Sequence, residues 1–214
     1  MPAIASTLAI LLFAYLLGSL SGGLWLGRWR GVDIRTQGSG NAGGTNAFRT
    51  QGAAFGAAVA LFDLVKGALA AWLALKYAPP ASRFDPTAHA YAAAFAAAIG
   101  HVWPIWHGFR GGKGAATLAG GVLVLWPWIA PFVLLVWIAV IVSSGYVGLA
   151  SVAAGIALAV LAWCTEAGMA RLLFANAAAL LLLFTHRGNL ARLRAGGESR
   201  FERARLLHRL WRRT

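Results

Sequence analysis

The stretch AAFGAAVALFDLVKGALAAWLALK, residues 53–76, is apolar along almost its whole length. A helix needs about 20 such residues to cross the ~30 Å hydrocarbon core of a bilayer, so this stretch predicts a membrane-spanning helix. Asp63 and Lys66 interrupt it, three residues apart on one helix face. Charged side chains at that depth are costly unless they are paired, so they should either pair with each other or line a polar site.

Comparable apolar stretches extend in both directions from this one. They occupy residues 3–27, 88–106 and 168–186, and residues 115–165 are long enough for three short helices separated near 127–131 and 143–151. No alternating pattern typical of a membrane β-barrel is present. The sequence therefore predicts an all-α, polytopic membrane protein that forms a single domain over residues 1–214, a bundle of seven transmembrane helices.

The composition agrees with that prediction. Of the 214 residues 59% are hydrophobic and 12% are charged, the mean hydropathy is +0.67, and the formal net charge is +13. A soluble globule of this composition would precipitate, whereas a membrane protein can carry the positive charge in its loops and tail. The single Cys164 excludes a disulfide framework, and the five scattered histidines lack zinc-site spacing, so we expect no metal and no cofactor.

Lys and Arg are distributed unevenly between the two predicted sides of the membrane. With seven spans, fifteen of them fall on one side and three on the other. Because basic residues gather in cytoplasmic loops, the amino terminus is predicted outside and the carboxyl terminus in the cytoplasm. The arginine-rich stretch 187–214 is predicted to be a basic cytoplasmic tail that lies against anionic membrane lipids; nucleic acid is not expected as a partner.

Three polar, glycine-rich segments fall on the predicted cytoplasmic side. The first is GSGNAGGTNAFR, residues 38–49. Glycines allow backbone amides to approach an oxyanion, Ser, Thr and Asn add donors, and Arg adds a charged fork, so the composition indicates a phosphate cradle. A flexible connecting loop is the alternative. The candidate ligands are Ser39, Gly40, Asn41, Thr45, Asn46 and Arg49.

The second segment is GFRGGKG, residues 108–114, which precedes a helix predicted to begin near Ala115. Loop amides and the positive end of that helix would both favour an anion, and the candidates are Gly111, Gly112, Lys113 and Gly114. The segment lacks the first glycine and the Ser/Thr of a P-loop, which argues against ATP hydrolysis. His101, just upstream, is either a packed helix residue or part of the site.

The third segment is THRGNLARLRAGGE, residues 185–198. His186 lies where the last span meets the cytoplasm, and Asn189 would lie beside it if the helix continued. At that position His186 could act as a general acid or base, or it could donate a hydrogen bond to a phosphate. The alternative is a histidine that merely lies at the membrane interface. Ser151, in the turn between the fifth and sixth spans, carries little information alone.

Taken together, these segments resemble the bacterial membrane acyl-phosphate:glycerol-3-phosphate acyltransferases. The similar residues are Ser39–Asn41, Gly43, Thr45, Asn46, Arg49, Asp63, Lys66, Gly67, Gly100, His101, Pro104, Gly111–Gly114, Ala116, Thr117, His186, Asn189, Arg192, Leu193, Gly196 and Glu198. Two positions depart from the family pattern. Gly44 stands where Ala is usual, and Gly148 replaces the first serine of a YVSLAS-like turn, which leaves Ser151 as the candidate hydroxyl there.

The resemblance implies a multi-pass enzyme of the bacterial inner membrane with its active site on the cytoplasmic side. It would move a fatty acyl group from acyl phosphate to the 1-hydroxyl of glycerol 3-phosphate, giving lysophosphatidic acid and phosphate, the first step of phospholipid biosynthesis. We expect a monomer. The expected catalytic residues are Ser39, Arg49, Lys113, His186 and Asn189; the expected substrate-binding residues are Gly40, Asn41, Thr45, Asn46, Gly111, Gly112, Gly114 and Ser151; Asp63, Lys66, His101 and Glu198 are expected to be structural or supporting.

Two alternatives are open at this point. A transporter for phosphorylated solutes would use similar anion-binding elements but needs a site reachable from both sides, and the motifs show no inverted repeat. A membrane scaffold for other lipid enzymes would explain the spans but not the clustered donors. Within the enzyme hypothesis, either His186 or the donor's own phosphate could take the proton of the acceptor hydroxyl; the resemblance favours the phosphate, with His186 as a hydrogen-bond donor.

Overall fold

The computed structural model describes residues 2–77 and 85–201, and within them the chain is helical and contains no β-strand, which confirms the predicted all-α class. It divides into two compact units at residues 127 and 128. Residues 202–214 of the predicted basic tail lie outside the described part of the chain.

The first unit contains six α-helices in its described residues. They are α1 (Pro2–Gly18), α2 (Gly22–Trp29), α3 (Gly44–Gln51), α4 (Ala53–Lys76), α5 (Pro86–Val102) and α6 (Ala115–Leu125). Short 3₁₀ turns at Ile34–Thr36 and Ile105–His107 lie in the two loops that carry the first and second polar segments. The second unit contains α7 (Ala130–Ser144), α8 (Val147–Cys164), α9 (Met169–Thr185) and α10 (Arg187–Arg194).

Each of the seven predicted apolar stretches contains a helix, and α4 coincides with residues 53–76. By length and composition, the described helices include two single membrane-spanning candidates, α4 and α8. That number rises to four if the bent pairs α1–α2 and α9–α10 each count as one span. Helix α6 has 11 residues and is therefore only about 17 Å long. Seven crossings and the orientation of the termini stay predictions.

The first apolar stretch is not the single straight helix that residues 3–27 predict. Helices α1 and α2 meet at an angle of 44°. Between them Ser21 adopts an extended backbone conformation, with φ −85° and ψ 117°, which interrupts the i to i−4 hydrogen-bond ladder. Apolar composition reports the length of a span, but it does not report such a break, because the break is stabilised by residues elsewhere in the chain.

Glycines set the spacing between the helices of the first unit. A Cβ at Gly67 of α4 would lie 2.0 Å from the carbonyl oxygen of Thr117, and one at Gly120 of α6 would lie 1.9 Å from that of Leu64. Buried alanines of α1, α4 and α5 form the neighbouring core. Such small residues allow backbones to approach closely, and this packing supports helix association within a membrane, where apolar burial adds little.

Replacing Gly120 with alanine should therefore destabilise the protein, although alanine is the better helix former. We expect Gly120→Ala to lower the free energy of unfolding by about 2 kcal/mol through overpacking, measured as a lower Tm in detergent. Gly188→Ala is the matched control, because its Cβ would meet Arg192 Nη1 at an ordinary 3.5 Å. Equal Tm values for the two variants would contradict the close contact between α4 and α6.

Candidate active site

The first polar loop is organised around the side chain of Asn46, which is 1% exposed at the start of α3. Its Nδ2 donates hydrogen bonds to the carbonyl oxygens of Ile34 (2.8 Å), Gln37 (3.0 Å) and Asn41 (3.0 Å), and its Oδ1 accepts one from the Ser39 amide (2.9 Å). The amide group is thus used by the loop itself. Asn46, expected as a substrate ligand, has the geometry of a residue that shapes the loop.

Two glycines of this loop have backbone conformations that other residues rarely adopt. Gly38 has φ +56° and Gly40 has φ +71°. A Cβ at Gly38 would also lie 2.4 Å from Asn46 Oδ1. The Gly40 amide, expected to face a phosphate, instead donates to the Gln37 carbonyl at 3.0 Å and closes a turn.

Helix α3 begins inside this loop and presents two of the candidate ligands. Its N-cap is Gly43, which has no side chain to cap the helix. The first amides of the helix and its positive dipole end therefore favour an anion. Thr45 and Arg49 are four residues apart and so lie on one face of α3. Arg49 and Ser39 are exposed and Thr45 is half-buried, as suits groups that contact a ligand.

The second polar loop packs tightly against the carboxyl end of α5. The Gly111 amide donates to the Val102 carbonyl (3.1 Å) and the Gly112 amide to the His101 carbonyl (3.0 Å). These two amides, expected to face a phosphate, therefore donate to carbonyl oxygens within the protein. A Cβ at Gly112 would lie 2.1 Å from Nε2 of His101, so this close packing requires glycine.

The donors that favour an anion lie slightly later, where α6 begins. Gly114 is the N-cap of α6, has φ +84°, and makes no side-chain capping hydrogen bond. The first amides of α6 and its positive dipole end therefore favour an anion, as was expected for the helix that follows this segment. Lys113 immediately precedes this N-cap and is half-buried.

Arg35, which the sequence pattern did not single out, connects the first and second loops. Its Nη1 donates to the carbonyl oxygens of His107 (3.1 Å) and Arg110 (3.2 Å). Its Nε and Nη2 donate to the Asp33 carboxylate, with Nη2 2.7 Å from Oδ2. These hydrogen bonds hold the pKa of the Asp33 carboxyl below its usual value. The Asp-x-Arg spacing was visible in the sequence, but the distant carbonyl partners were not.

Asp63, Lys66 and His101 form a buried polar cluster between α4, α5 and the break that separates α1 from α2. Lys66 Nζ lies 3.0 Å from Asp63 Oδ1, and the structure thus shows the pairing that was one of the two expectations. Lys66 Nζ also donates to the Leu20 carbonyl at 2.7 Å, and the Gly22 amide donates to Asp63 Oδ1 at 3.2 Å. The cluster therefore supplies partners for backbone groups that the broken helix leaves without them.

In the second unit, His186 lies at the junction between α9 and α10 and is 4% exposed. Its Nδ1 is 2.9 Å from the Leu182 carbonyl oxygen. A carbonyl oxygen can only accept, so Nδ1 carries the proton, and in the neutral ring Nε2 is the proton acceptor. The chain bends by 54° here, so α10 does not continue α9, which was the condition under which Asn189 would lie beside His186 on one helix.

Glu198 holds the rest of the third segment in place. Its Oε1 accepts a hydrogen bond from Asn189 Nδ2 (2.5 Å), and its Oε2 accepts one from Arg192 Nε (2.8 Å). The Glu198 side chain is 6% exposed, so a pairing cation and a donor are needed to compensate its buried charge. This geometry agrees with the supporting role expected for Glu198.

The turn between α7 and α8 packs against Asn189 through Gly148, whose Cβ would lie 2.9 Å from Asn189 Cβ. Ser151, the candidate hydroxyl of this turn, is buried; its Oγ donates to the Val147 carbonyl at 3.0 Å and accepts from Trp137 Nε1 at 3.4 Å. Arg200 Nε donates to Tyr146 Oη at 2.6 Å, a contact that the sequence did not indicate.

The candidate residues therefore fall into two groups, each described within its own unit. The first unit holds Ser39, Gly40, Asn41, Thr45, Asn46, Arg49, Asp63, Lys66, His101, Gly111, Gly112, Lys113 and Gly114; the second holds Ser151, His186, Asn189 and Glu198. Among residues 2–77 and 85–201, no three His, Cys, Asp or Glu side chains are grouped so that they could hold a metal ion.

Comparison with known proteins gives a consistent result. A sequence model described as "Glycerol-3-phosphate acyltransferase" matches residues 8–196. A glycerol-3-phosphate acyltransferase of Myxococcus xanthus is 46% identical over 201 residues, covering 91% of this chain and 100% of the relative. The enzyme of that name from Aquifex aeolicus is 36% identical over 194 residues, covering 91% of this chain and 98% of the relative.

Solved structures agree with the sequence relatives. The crystal structure of PlsY (YgiH), an integral membrane glycerol 3-phosphate acyltransferase, in its glycerol 3-phosphate form has a TM-score of 0.84 and 36% identity, covering 92% of this chain and 96% of that chain. Its lysophosphatidic acid form has a TM-score of 0.82 and 35% identity, with coverages of 91% and 95%.

The geometry around Asn46 makes a testable prediction. In Asn46→Asp a carboxylate, which cannot donate, would face three carbonyl oxygens, and we expect destabilisation of about 3 kcal/mol with faster trypsin cleavage after Arg35 and Arg49. The control is Thr50→Val, which removes one hydrogen bond, from Thr50 Oγ1 to the Asn46 carbonyl, at a cost of about 1 kcal/mol. Equal stability and cleavage in the two variants would contradict the organising role of Asn46.

Proposed function

Because this chain belongs to the glycerol-3-phosphate acyltransferase family, we propose that it transfers a fatty acyl group from acyl phosphate to the 1-hydroxyl of glycerol 3-phosphate. The products are lysophosphatidic acid and inorganic phosphate, and the reaction begins phospholipid biosynthesis. The match of residues 8–196 to the family carries this proposal. The solved relative's glycerol 3-phosphate and lysophosphatidic acid forms name the same acceptor and product.

The chemistry of an acyl phosphate determines what the protein must supply. This mixed anhydride is already activated, so the acceptor oxygen can attack the acyl carbonyl carbon directly while the carbon–phosphate oxygen bond breaks. The phosphate departs with the electron pair, and no covalent acyl-enzyme is needed. The protein must hold two anions and an acyl chain in a reactive geometry. This positioning alone can lower the activation barrier by several kcal/mol.

Electrostatics supports the assignment of Arg49 and Lys113. Both substrates carry a phosphate group, and two unit charges 4 Å apart at an effective dielectric constant of 20 repel by about 4 kcal/mol. Positive charge must offset this repulsion. We assign Arg49 as a bidentate phosphate clamp and Lys113 to the donor or product phosphate, each assisted by the uncapped start of the neighbouring helix, α3 or α6.

The proton of the acceptor hydroxyl needs a destination. His186 is one candidate, because its Nδ1–H donates to the Leu182 carbonyl and its neutral ring accepts at Nε2. The departing phosphate of the acyl phosphate is the other candidate, and His186 would then donate a hydrogen bond to that phosphate. The hydrogen bond of Nδ1 is compatible with both routes, since a neutral ring would accept a proton at Nε2 and a protonated ring would donate from Nε2 to the phosphate.

The remaining candidates divide between substrate contact and support. We assign Ser39, Thr45 and Asn189 to the orientation of glycerol 3-phosphate, with Glu198 holding Asn189 through its 2.5 Å hydrogen bond. Asn46 and Ser151, whose polar atoms are used by neighbouring backbone, are proposed to shape their segments. The acyl chain would lie among the apolar helices.

We propose that the enzyme lies in the bacterial inner membrane, with its amino terminus outside and its polar motifs at the cytoplasmic face. The integral membrane character of the solved relative and the apolar helices of this chain support a membrane location. The excess of Lys and Arg in the motif-bearing loops supports the orientation.

Purified protein in detergent or lipid should release phosphate from palmitoyl phosphate only when glycerol 3-phosphate is present. The acceptor dependence follows from direct attack by its hydroxyl, and the measurement is phosphate release together with formation of lysophosphatidic acid. Substitution of palmitoyl-CoA for palmitoyl phosphate is the donor control. Phosphate release that ignores the acceptor would indicate a hydrolase, and uptake of glycerol 3-phosphate into liposomes without acylation would indicate a transporter.

Arg49→Ala and Lys113→Ala should each lower kcat/KM at least about tenfold, because each removes a cation that offsets phosphate repulsion in the transition state. Lys76→Ala is the matched control. It removes the same charge from the end of α4, where the ammonium lies over the Trp72 and Tyr77 rings. Near-normal rates in the Arg49 and Lys113 variants, measured by the same assay, would contradict the clamp.

A further inference from the structure

No step of the proposed acyl transfer uses the buried cluster of Asp63, Lys66 and His101. The cluster nevertheless adjoins the loop that carries Lys113. The three residues are 1%, 3% and 3% exposed. Paired charges can be buried when every donor and acceptor is satisfied, but an apolar trio of similar volume would cost less. The contacts of the cluster therefore suggest a role beyond packing.

Lys66 and Asp63 determine how the His101 ring is oriented. An ammonium group has three N–H donors. Three acceptors surround Lys66 Nζ: the Leu20 carbonyl oxygen at 2.7 Å, His101 Nδ1 at 2.9 Å and Asp63 Oδ1 at 3.0 Å. Asp63 Oδ1 also lies 3.3 Å from His101 Nδ1, so both charged groups of the cluster face the same edge of the ring. These contacts of Nδ1 fix the orientation of the ring.

The opposite edge of the same ring contacts the second polar loop. A Cβ at Gly112 would lie 2.1 Å from His101 Nε2 and 2.7 Å from Cε1, so the ring packs directly against the Gly112 backbone. The His101 carbonyl accepts the Gly112 amide at 3.0 Å, and the neighbouring Val102 carbonyl accepts the Gly111 amide at 3.1 Å. Ring and backbone of one residue therefore hold the turn that precedes Lys113.

We propose that His101 is a positioning residue for phosphate binding: Lys66 orients its imidazole, and the imidazole supports the Gly111–Gly112 turn so that Lys113 and the start of α6 face the phosphate. This inference rests on the proposed function, since it deepens the role given to Lys113. It assigns the buried cluster the task of keeping a glycine-rich, intrinsically flexible loop in one conformation.

Removal of the ring should weaken phosphate binding more than it slows the chemical step. Without the ring a cavity would lie beneath Gly112, and the loop would populate other conformations. Apparent affinity falls by the fraction of molecules in the competent conformation, so KM should rise. KM does not depend on how much of the sample is folded and active, whereas a loss of stability alone would lower only the measured maximum rate.

The test compares His101→Ala with His89→Ala. His89 is a matched control, because it lies on the same helix, is also 3% exposed, and has Nε2 2.9 Å from Thr7 Oγ1. We expect His101→Ala to raise the KM for palmitoyl phosphate or the inhibition constant of inorganic phosphate at least fivefold. His89→Ala should leave both within twofold. Similar losses of Tm are expected in the two variants.

A third variant separates the contribution of the Nδ1 edge of the ring from that of the edge that contacts Gly112. In His101→Asn the side-chain amide can hydrogen-bond to Lys66 and Asp63 from the position of Nδ1, but nothing replaces the edge that contacts Gly112. We expect His101→Asn to regain most of the Tm lost in His101→Ala while its KM stays raised at least fivefold. Normal KM values in His101→Asn would overturn the proposal that the ring supports the turn.

Trypsin cleavage after Lys113 supplies a readout that needs no activity. It should be at least fivefold faster in His101→Ala than in His89→Ala and the unsubstituted protein. Equal KM values and equal cleavage rates in the two alanine variants would overturn the positioning role. If the unsubstituted protein does not transfer acyl groups from palmitoyl phosphate, the proposed function fails, and the cleavage rates alone decide whether His101 supports the loop.

Discussion

The ammonium group of Lys66 is the interaction on which the first unit depends. A buried cation is tolerated only when polar groups surround it, and here the Leu20 carbonyl oxygen, Asp63 Oδ1 and His101 Nδ1 all lie within 3.0 Å of Nζ. The same contacts allow α1 and α2 to meet at a break, because Lys66 and Asp63 receive the backbone groups that the break exposes. The first polar loop follows directly from α2.

Both units use single polar side chains to organise their loops. Asn46 gathers four backbone groups of the first loop, Arg35 connects that loop to the second, and Glu198 joins Asn189 to Arg192. Each of these side chains hydrogen-bonds to other groups of the protein. The exposed or half-buried Ser39, Thr45, Arg49 and Lys113 are the groups whose position suits contact with a ligand.

Individual residues show how far the site could be predicted. Ser39, Arg49, Lys113 and His186 could be proposed from the sequence because polar and charged residues are rare in so apolar a chain. The hydrogen bonds of the Gly111 and Gly112 amides could not be predicted, because their carbonyl partners in α5 are unrelated to the local motif. Arg35 was missed for the same reason, since its partners lie more than seventy residues away.

The sequence by itself determined the helical class, the locations of the seven apolar stretches and the family, because hydrophobic run length and motif order are local properties of the chain. Only the tertiary structure decided that the first stretch breaks between α1 and α2 and that Asn46 shapes its loop. It also decided that His101 lies between a buried cation and a glycine turn. The physical reason is that each of these outcomes depends on which distant backbone group meets a polar side chain, and folding alone brings those groups together.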